Sequence, residues 1–223
     1  ESFKRPTEII RDLIRPDSLA VISGPSHAEE VAEQLPVSVV SASDNISFAE
    51  KVQEVFSTDF FRIYSSEDVV GVEIAGALKN VIAIAAGICS GLKLGDNALA
   101  ALVARGIVEI SRLGVHMGAD PATFYGLSGI GDLITTCYSG FGRNRSVGLR
   151  VSNGETIDDI IENMEQVAEG VWTVKSVVPL AREKGISMPI SNEVYNILFN
   201  GKPPSEAVRA LMSRDFKQEK EEW

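Results

Sequence analysis

The pattern of hydrophobic and polar positions changes about a third of the way along the chain. Before residue 68, short apolar runs alternate with amphipathic stretches that have a helical repeat. This pattern predicts three helices and three strands, in the order helix 7–15, strand 19–23, helix 26–34, strand 37–42, helix 47–56 and strand 60–64. Strands that alternate with helices are typical of a mostly parallel α/β sheet.

From residue 68 onward, the strand pattern gives way to helical segments rich in Ala, Leu, Ile and Val. We predict them at 68–89, 96–113, 121–126, 131–138, 144–152, 156–162, 169–184, 190–199 and 204–213. The predicted fold class is therefore α/β followed by all-α, with a domain boundary between residues 67 and 68.

The glycine pattern of a dinucleotide-binding turn is missing from this sequence. No strand runs into G-x-G-x-x-G and then a helix, and the glycines of GLSGIGD at 126–132 have the wrong order and follow no strand. A sheet of three strands would also leave its edges open. We therefore expect the chain to be the back part of a larger protein.

Composition narrows the classes of partner. The formal net charge of the 223 residues is −10 and no run of several Lys or Arg occurs, which disfavours nucleic acid and anionic lipid and favours a small molecule or a protein. Cys89 and Cys137 have no metal-like spacing to each other or to His27 and His116, so neither a disulfide framework nor a metal site is predicted. These features indicate a reducing, cytoplasmic setting.

The run GVEIAGALKNVIAIAAGI at 71–88 is apolar but holds Lys79 and Asn80 at its centre. It falls short of the roughly 20 apolar residues that span a bilayer, so an integral membrane protein is not expected. On a helix, Lys79 would emerge beside small residues. A lysine in apolar surroundings gives up its proton more readily, which suits proton transfer to or from an oxygen. The alternative is a lysine that extends to the surface with its stem against the core.

The stretch LAVISGPSHAEEVAEQ at 19–34 predicts a strand, a Gly24-Pro25 turn and a helix. Ser26 and Glu29 have the spacing of a capping box. Such a unit places backbone N–H groups at the carboxyl edge of the sheet, where α/β proteins bind ligands. The alternative is a structural helix with a good cap.

The segment GLSGIGDLITTCYSGFGRNRSVG at 126–148 contains the densest set of polar candidates. Asp132 follows a glycine-rich turn and could orient a catalytic lysine. Arg143, Asn144 and Arg145 stand at a predicted helix start, where a guanidinium and backbone donors suit a phosphate. The alternative is an exposed loop with a solvated helix start.

Four stretches occur in one order along the chain, and together they resemble a known family. GPSHAEEVA, GVEIAGALKNVIAIAAG, GDNALAALVARG, and GDLITTC followed by GRNR are similar to NAD(P)-dependent glycerol-3-phosphate dehydrogenases of the bacterial type, through essentially the whole chain. The resemblance implies that residues 1–67 are the C-terminal part of a dinucleotide-binding, doubly wound (Rossmann-type) domain. It implies a helical substrate-binding and catalytic domain at 68–223. It also implies NAD or NADP as cofactor and interconversion of sn-glycerol 3-phosphate and dihydroxyacetone phosphate, which supplies phospholipid synthesis.

The resemblance also implies individual site residues. Lys79 matches the general acid/base, and Asp132 matches an aspartate close to the lysine and the substrate hydroxyls. Substrate contacts are implied at Gly24, Ser26, Lys79, Asn80, Asp132, Thr136, Gly142, Arg143 and Asn144, the Arg-Asn pair holding the phosphate. Cofactor contacts are implied at Ala28, Arg143, Val167 and Glu169. At Gly142, family members commonly have Ser, so this chain loses a hydroxyl contact there.

Two rival functions stay open. One is a related two-domain dehydrogenase for a different hydroxy acid, and the other is a non-catalytic helical module for dimerisation or regulation. A homodimer is also left open, and the sequence does not distinguish NADH from NADPH because the ribose-reading residue is expected upstream.

Overall fold

The computed structural model describes residues 3–140, 142–216 and 218–219. It divides into two compact units. The first unit contains Glu1–Gly76 and Gly114–Thr135, and the second contains Ala77–Leu113 and Thr136–Trp223.

The elements of the first two-fifths of the chain follow the predicted order. They are α1 (Pro6–Ile14), β1 (Val21–Ser23), α2 (Ala28–Ala32), β2 (Val37–Ala42), α3 (Ile46–Phe56), β3 (Phe61–Ser66) and α4 (Val69–Gly91). The rest of the described chain is helical. It contains α5 (Asp96–His116), a 3₁₀ turn (Pro121–Tyr125), a π-helical turn (Leu127–Gly131), α6 (Asp132–Tyr138), α7 (Arg143–Ser152), α8 (Ile157–Glu162), α9 (Glu169–Glu183), α10 (Pro189–Asn200) and α11 (Pro204–Met212).

The sheet has the order β1-β2-β3 and is only half parallel. β2 and β3 run parallel, with Val37 opposite Phe61, whereas β1 is antiparallel to β2, with Ser23 opposite Val40. The prediction of a mostly parallel sheet is therefore wrong for these strands. The connection from β1 to β2 carries only the five-residue α2, whereas the eleven-residue α3 provides a full crossover between β2 and β3.

This topology also corrects the expected position of the Gly24-Pro25-Ser26 turn. Because β1 is antiparallel, its carboxyl end lies beside the middle of β2 rather than at the shared carboxyl edge of β2 and β3. Gly24 has a φ of +149°, and a Cβ there would lie 2.9 Å from the Cα of Val39, so only glycine fits this close approach.

The predicted capping box at Ser26 and Glu29 is wrong. The Ser26 hydroxyl donates to the Gly24 carbonyl at 3.0 Å, and α2 begins two residues later with His27 as its N-cap. The serine hydroxyl therefore closes the turn before the helix instead of capping the helix.

Alternation along β2 divides the apolar residues between the two faces of the sheet. Val37 and Val39 pack with Ile63, while Ala42 packs with Val69 and Val72 of α4 on the other face. The first unit therefore buries both faces of its parallel pair.

Buried carboxylates on the two long helices cap shorter helices. In the first unit, Glu73 of α4 accepts from the Thr7 N–H at 2.9 Å, the Thr7 hydroxyl at 2.6 Å and the Arg5 guanidinium at 2.8 Å. In the second unit, Glu109 of α5 accepts from the N–H groups of Ile190 and Ser191, each at 2.8 Å, and from the Ser191 hydroxyl at 2.6 Å. Each carboxylate satisfies N–H groups that a helix start leaves unpaired.

In the second unit, α4 and α7 cross with their backbones in contact. A Cβ at Gly87 would lie 2.0 Å from the Arg145 carbonyl oxygen, and one at Gly148 would lie 2.0 Å from the Ile84 carbonyl oxygen. Because a Cβ does not fit at either position, the two glycines set how closely α7 approaches α4.

Helix α4 is longer than the apolar run at 71–88 from which a membrane span was judged. At 23 residues, it is long and apolar enough to cross a membrane, and it is the one such helix in the part of the chain that the structure describes. However, 72% of its most apolar stretch is buried within the protein, so α4 is a core helix.

Candidate functional site

The Lys-Asn pair of α4 and the Arg-Asn pair of α7 meet in the second unit. The Asn144 Nδ2 donates to the Asn80 Oδ1 at 2.9 Å. Lys79 and Asn80 are half-buried and Arg143 is exposed, while Asn144 is only 5% exposed. One hydrogen bond between the asparagines therefore brings together the turn that carries Lys79 and the turn that carries Arg143.

Helix α7 begins at Arg143, one residue before its predicted start. Gly142 is the N-cap, and the Ser146 N–H donates to the Gly142 carbonyl at 2.9 Å as the first helical bond. The N–H groups of the first turn have no partners within the helix and lie at the positive end of the helix dipole. This arrangement suits an anion. The Arg143 guanidinium lies 3.4 Å from the Glu169 carboxylate, with both side chains about half exposed.

The backbone at Gly142 has room for a larger residue such as serine. A Cβ at Gly142 would lie 3.4 Å from the carbonyl oxygen of Thr136, which is an ordinary contact distance. The glycine is therefore not required by packing in this chain. Thr136 itself, on α6, is 9% exposed.

A small cavity lies beside the predicted cofactor contact Val167. Its volume is about 180 Å³, and its walls are mainly apolar, formed by Val147, Ile161, Met164, Val167, Val171 and Trp172. Val167 is 60% exposed, so the cavity is accessible from one side. Ala168, the residue before Glu169, also lines this recess, and an apolar recess of this kind suits the ring of a ligand.

Gly170 is a site-region residue that the sequence reasoning missed. Its N–H donates to the Asn144 Oδ1 at 2.9 Å, so the buried asparagine amide is held from both ends. The sequence QVAEG contains this glycine directly after Glu169, but nothing in the motif points to its partner on α7.

Arg145 is half-buried in the second unit. Its Nη2 donates to the Ser90 hydroxyl of α4 at 3.0 Å. Its charge lowers the pKa of the nearby Cys137 thiol, but burial outweighs this effect and raises that pKa to about 12. Arg145 therefore braces α7 against α4, and of the two arginines only Arg143 is exposed.

The other four predicted residues lie in the first unit. Gly24 is buried in the turn after β1, and Ser26 and Ala28 are exposed beyond it. Asp132 is 3% exposed and stands where the π-helical turn meets α6. The predicted action of Asp132 on Lys79 stays a prediction.

Comparison with known proteins covers both parts of the chain. Residues 1–49 match the family described as NAD-dependent glycerol-3-phosphate dehydrogenase N-terminus, and residues 68–209 match the corresponding C-terminus. Curated relatives named glycerol-3-phosphate dehydrogenase [NAD(P)+] include one from Prosthecochloris aestuarii, 52% identical over 98% of this chain and 67% of its own length. Another, from Chlorobium limicola, is 49% identical over 97% of this chain and 66% of its own.

Comparison with solved structures points to the same family. A crystal structure of glycerol-3-phosphate dehydrogenase from Coxiella burnetii superposes with a TM-score of 0.89 at 40% identity, covering 93% of this chain and 64% of that one. The Saccharomyces cerevisiae enzyme gives a TM-score of 0.81 at 28% identity, covering 91% of this chain and 61% of that one. The chain thus spans about two thirds of the length of these proteins. The predicted fold class, a remnant of a Rossmann-type sheet followed by a helical domain, is confirmed, and the chain belongs to the NAD-dependent glycerol-3-phosphate dehydrogenase family.

Proposed function

We propose that this chain is the larger part of an NAD(P)-dependent oxidoreductase that interconverts sn-glycerol 3-phosphate and dihydroxyacetone phosphate and so supplies phospholipid synthesis. The observation that carries the proposal is the Asn80–Asn144 hydrogen bond, because it joins a lysine suited to proton transfer and an arginine suited to a phosphate. Family membership and the names of the relatives support the same activity.

Arg143 and the first turn of α7 bind the substrate phosphate. The Arg143 guanidinium forms an exposed ion pair with Glu169, which is worth at most about 1 kcal/mol. Forked, charge-assisted bonds to a phosphate dianion are worth about 1.5–3 kcal/mol, so the phosphate displaces Glu169. Asn144 contributes its remaining amide N–H.

Lys79 moves the proton. During reduction, C2 of dihydroxyacetone phosphate gains a hydride and its carbonyl oxygen needs a proton, which the Lys79 ammonium donates. In the oxidation direction, the neutral amine takes the proton from the C2 hydroxyl. Three of the four residues one helical turn from Lys79 are small, namely Ala75, Gly76 and Ala83, and Lys79 itself is half-buried.

The other proposed contacts rest on the motif match. The substrate would also contact Asp132, Thr136, Gly24 and Ser26. Asp132 would be the second catalytic group.

NAD(P)H supplies the hydride when it is bound. The motif match assigns cofactor contacts to Arg143, Val167, Glu169 and Ala28. The apolar recess beside Val167 excludes water from a bound ring.

We test the proposal in a full-length chimera, in which the amino-terminal third comes from the Prosthecochloris aestuarii relative. Reduction of dihydroxyacetone phosphate and of unphosphorylated dihydroxyacetone is followed by NAD(P)H absorbance. Arg143→Ala should lower kcat/KM for the phosphorylated substrate by about one to two powers of ten and barely change the poor activity on the other. Arg143→Lys keeps the charge but loses the fork, so it should recover part of the loss.

Arg150→Ala, a change of the same kind at the other end of α7, is the control and should have no effect. Failure of the unmodified chimera to reduce dihydroxyacetone phosphate would refute the proposed function. Preference for an unphosphorylated hydroxy acid would favour the related dehydrogenase instead. Equal losses on both substrates for Arg143→Ala would mean that Arg143 serves the cofactor or the fold.

The proposal also covers the location of the protein in the cell and its oligomeric state. Two free cysteines and an acidic chain support a cytoplasmic location, which fractionation of cells would test. A homodimer is the proposed assembly, and sedimentation of the chimera would test it.

A further inference from the structure

The first turn of α9 joins α4 and α7 at one buried point. The Gly170 N–H donates to the Asn144 Oδ1 at 2.9 Å, and the Asn144 Nδ2 donates to the Asn80 Oδ1 at 2.9 Å. Gly170 is buried and Asn144 is 5% exposed, so water does not compete freely for these bonds. A single side-chain amide therefore fixes three helices relative to one another.

Only glycine fits at this position of α9. A Cβ at Gly170 would lie 2.6 Å from the Asn80 carbonyl oxygen and 2.8 Å from the Asn144 Oδ1. Both distances are shorter than the contacts that real Cβ atoms make, and one of them is to backbone, which cannot rotate aside. A side chain at 170 would push α9 away from α4 and break the amide bridge.

The residue before Gly170 also contacts the start of α7. Glu169 lies 3.4 Å from the Arg143 guanidinium. The two residues that open α9 thus contact both residues that open α7, one through an exposed ion pair and the other through a buried hydrogen bond.

We propose that Gly170 is a positioning residue for the reaction. It holds Asn144, and through Asn144 it holds Asn80, the residue next to Lys79, so it fixes the reacting lysine relative to the phosphate-binding turn. This inference rests on the proposed function. Because it concerns the position of Lys79 as well as that of Asn144, its loss should lower activity on substrates with and without a phosphate, whereas the loss of Arg143 should affect the phosphorylated substrate only.

The first experiment is Gly170→Ala in the full-length chimera. A misplacement on the order of 1 Å at a reacting group costs about 10²-fold. We expect kcat/KM to fall roughly 10- to 100-fold on both dihydroxyacetone phosphate and dihydroxyacetone. The matched control is Gly140→Ala, because nothing lies within 4 Å of a Cβ there, and it should retain wild-type kinetics.

The second experiment measures the bridge without reference to activity. Amide hydrogen exchange at Gly170 is followed by NMR in the chimera with Asn144→Ala and with Asn144→Asp. Alanine removes the acceptor, so exchange at Gly170 should accelerate at least tenfold relative to the α9 interior. Aspartate keeps an oxygen at the same place, so it should preserve protection.

The outcomes separate the possibilities. The inference is overturned if Gly170→Ala stays close to wild-type kcat/KM, if its loss is confined to the phosphorylated substrate, or if Asn144→Ala leaves Gly170 exchange unchanged. If Gly170→Ala does not fold, the exchange measurement decides. If the unmodified chimera lacks activity, the proposed function fails, and the exchange measurement still decides whether Asn144 holds Gly170.

Discussion

The buried carboxylate of Glu109 makes a strong prediction about stability. Glu109 is 2% exposed and accepts from three donors, the N–H groups of Ile190 and Ser191 and the Ser191 hydroxyl. Glu109→Ala leaves these buried donors unpaired at about 1 kcal/mol or more each, which gives a loss of about 3 kcal/mol. For a chain of this size, this corresponds to a drop in Tm of about 6–12 °C.

The measurement is thermal unfolding by circular dichroism at neutral pH. The control is Glu155→Ala, which removes an exposed carboxylate paired with Arg150 and should leave Tm nearly unchanged. A drop of less than about 2 °C for Glu109→Ala would refute the reasoning, because it would mean that water replaces the carboxylate at the start of α10 without cost.

The same residue predicts a pH dependence. Burial raises the pKa of the Glu109 carboxyl above its ordinary value of 4.5, and this outweighs the lowering by the Ser191 and Ile190 donors and by Arg112. An acid with a raised pKa holds its proton more tightly in the folded chain. The contribution of Glu109 to stability is therefore fully present below pH 4.5, and it decreases as the pH rises through the pKa that the carboxyl has in the folded chain. The stability of wild type relative to Glu109→Gln should accordingly fall as the pH rises from 4.5, and a difference that increases with pH would contradict this.

Three further predictions concern activity and reactivity. In the chimera, Lys79→Ala should lower kcat by roughly 10²–10⁴-fold and leave cofactor affinity nearly unchanged. The control is Lys51→Ala, which changes an exposed lysine and should have no effect. A loss below about tenfold for Lys79→Ala would favour a surface role for Lys79. The 223-residue chain alone should not reduce dihydroxyacetone phosphate, because its sequence contains no strand leading into G-x-G-x-x-G, and measurable turnover would overturn this. With its pKa at about 12, the Cys137 thiol should resist iodoacetamide in the folded chain and react after unfolding, as mass spectrometry of the labelled peptide would show; rapid native labelling would count against its burial.

Local patterns predicted the elements well. Strand β2 occupies the predicted residues 37–42, and α7 starts within one residue of its predicted position. In both cases the signal is contained in neighbouring residues, as an alternating apolar run in one and a glycine turn before a charged helix start in the other.

Features that depend on distant residues were not predictable. The antiparallel pairing of β1 follows from how the chain returns from the short α2, and the residues of the strand itself do not encode it. The Asn144–Gly170 bond joins positions 26 apart, and Gly170 in the sequence looks like an ordinary helix start. The motif match led to a proposal for the site residues, whereas the hydrogen bonds among them are visible only in three dimensions.

The backbone contact between α4 and α7 limits how this family member can change under selection. Gly87 and Gly148 each face a carbonyl oxygen of the opposite helix, so every other amino acid at these positions has to separate the helices. In a library selected only for turnover, both positions should stay glycine as strictly as Lys79, although neither carries chemistry. Invariance in such a library would then identify two groups of residues, those that react and those that allow two backbones to touch, and only stability measured without substrate would tell the groups apart.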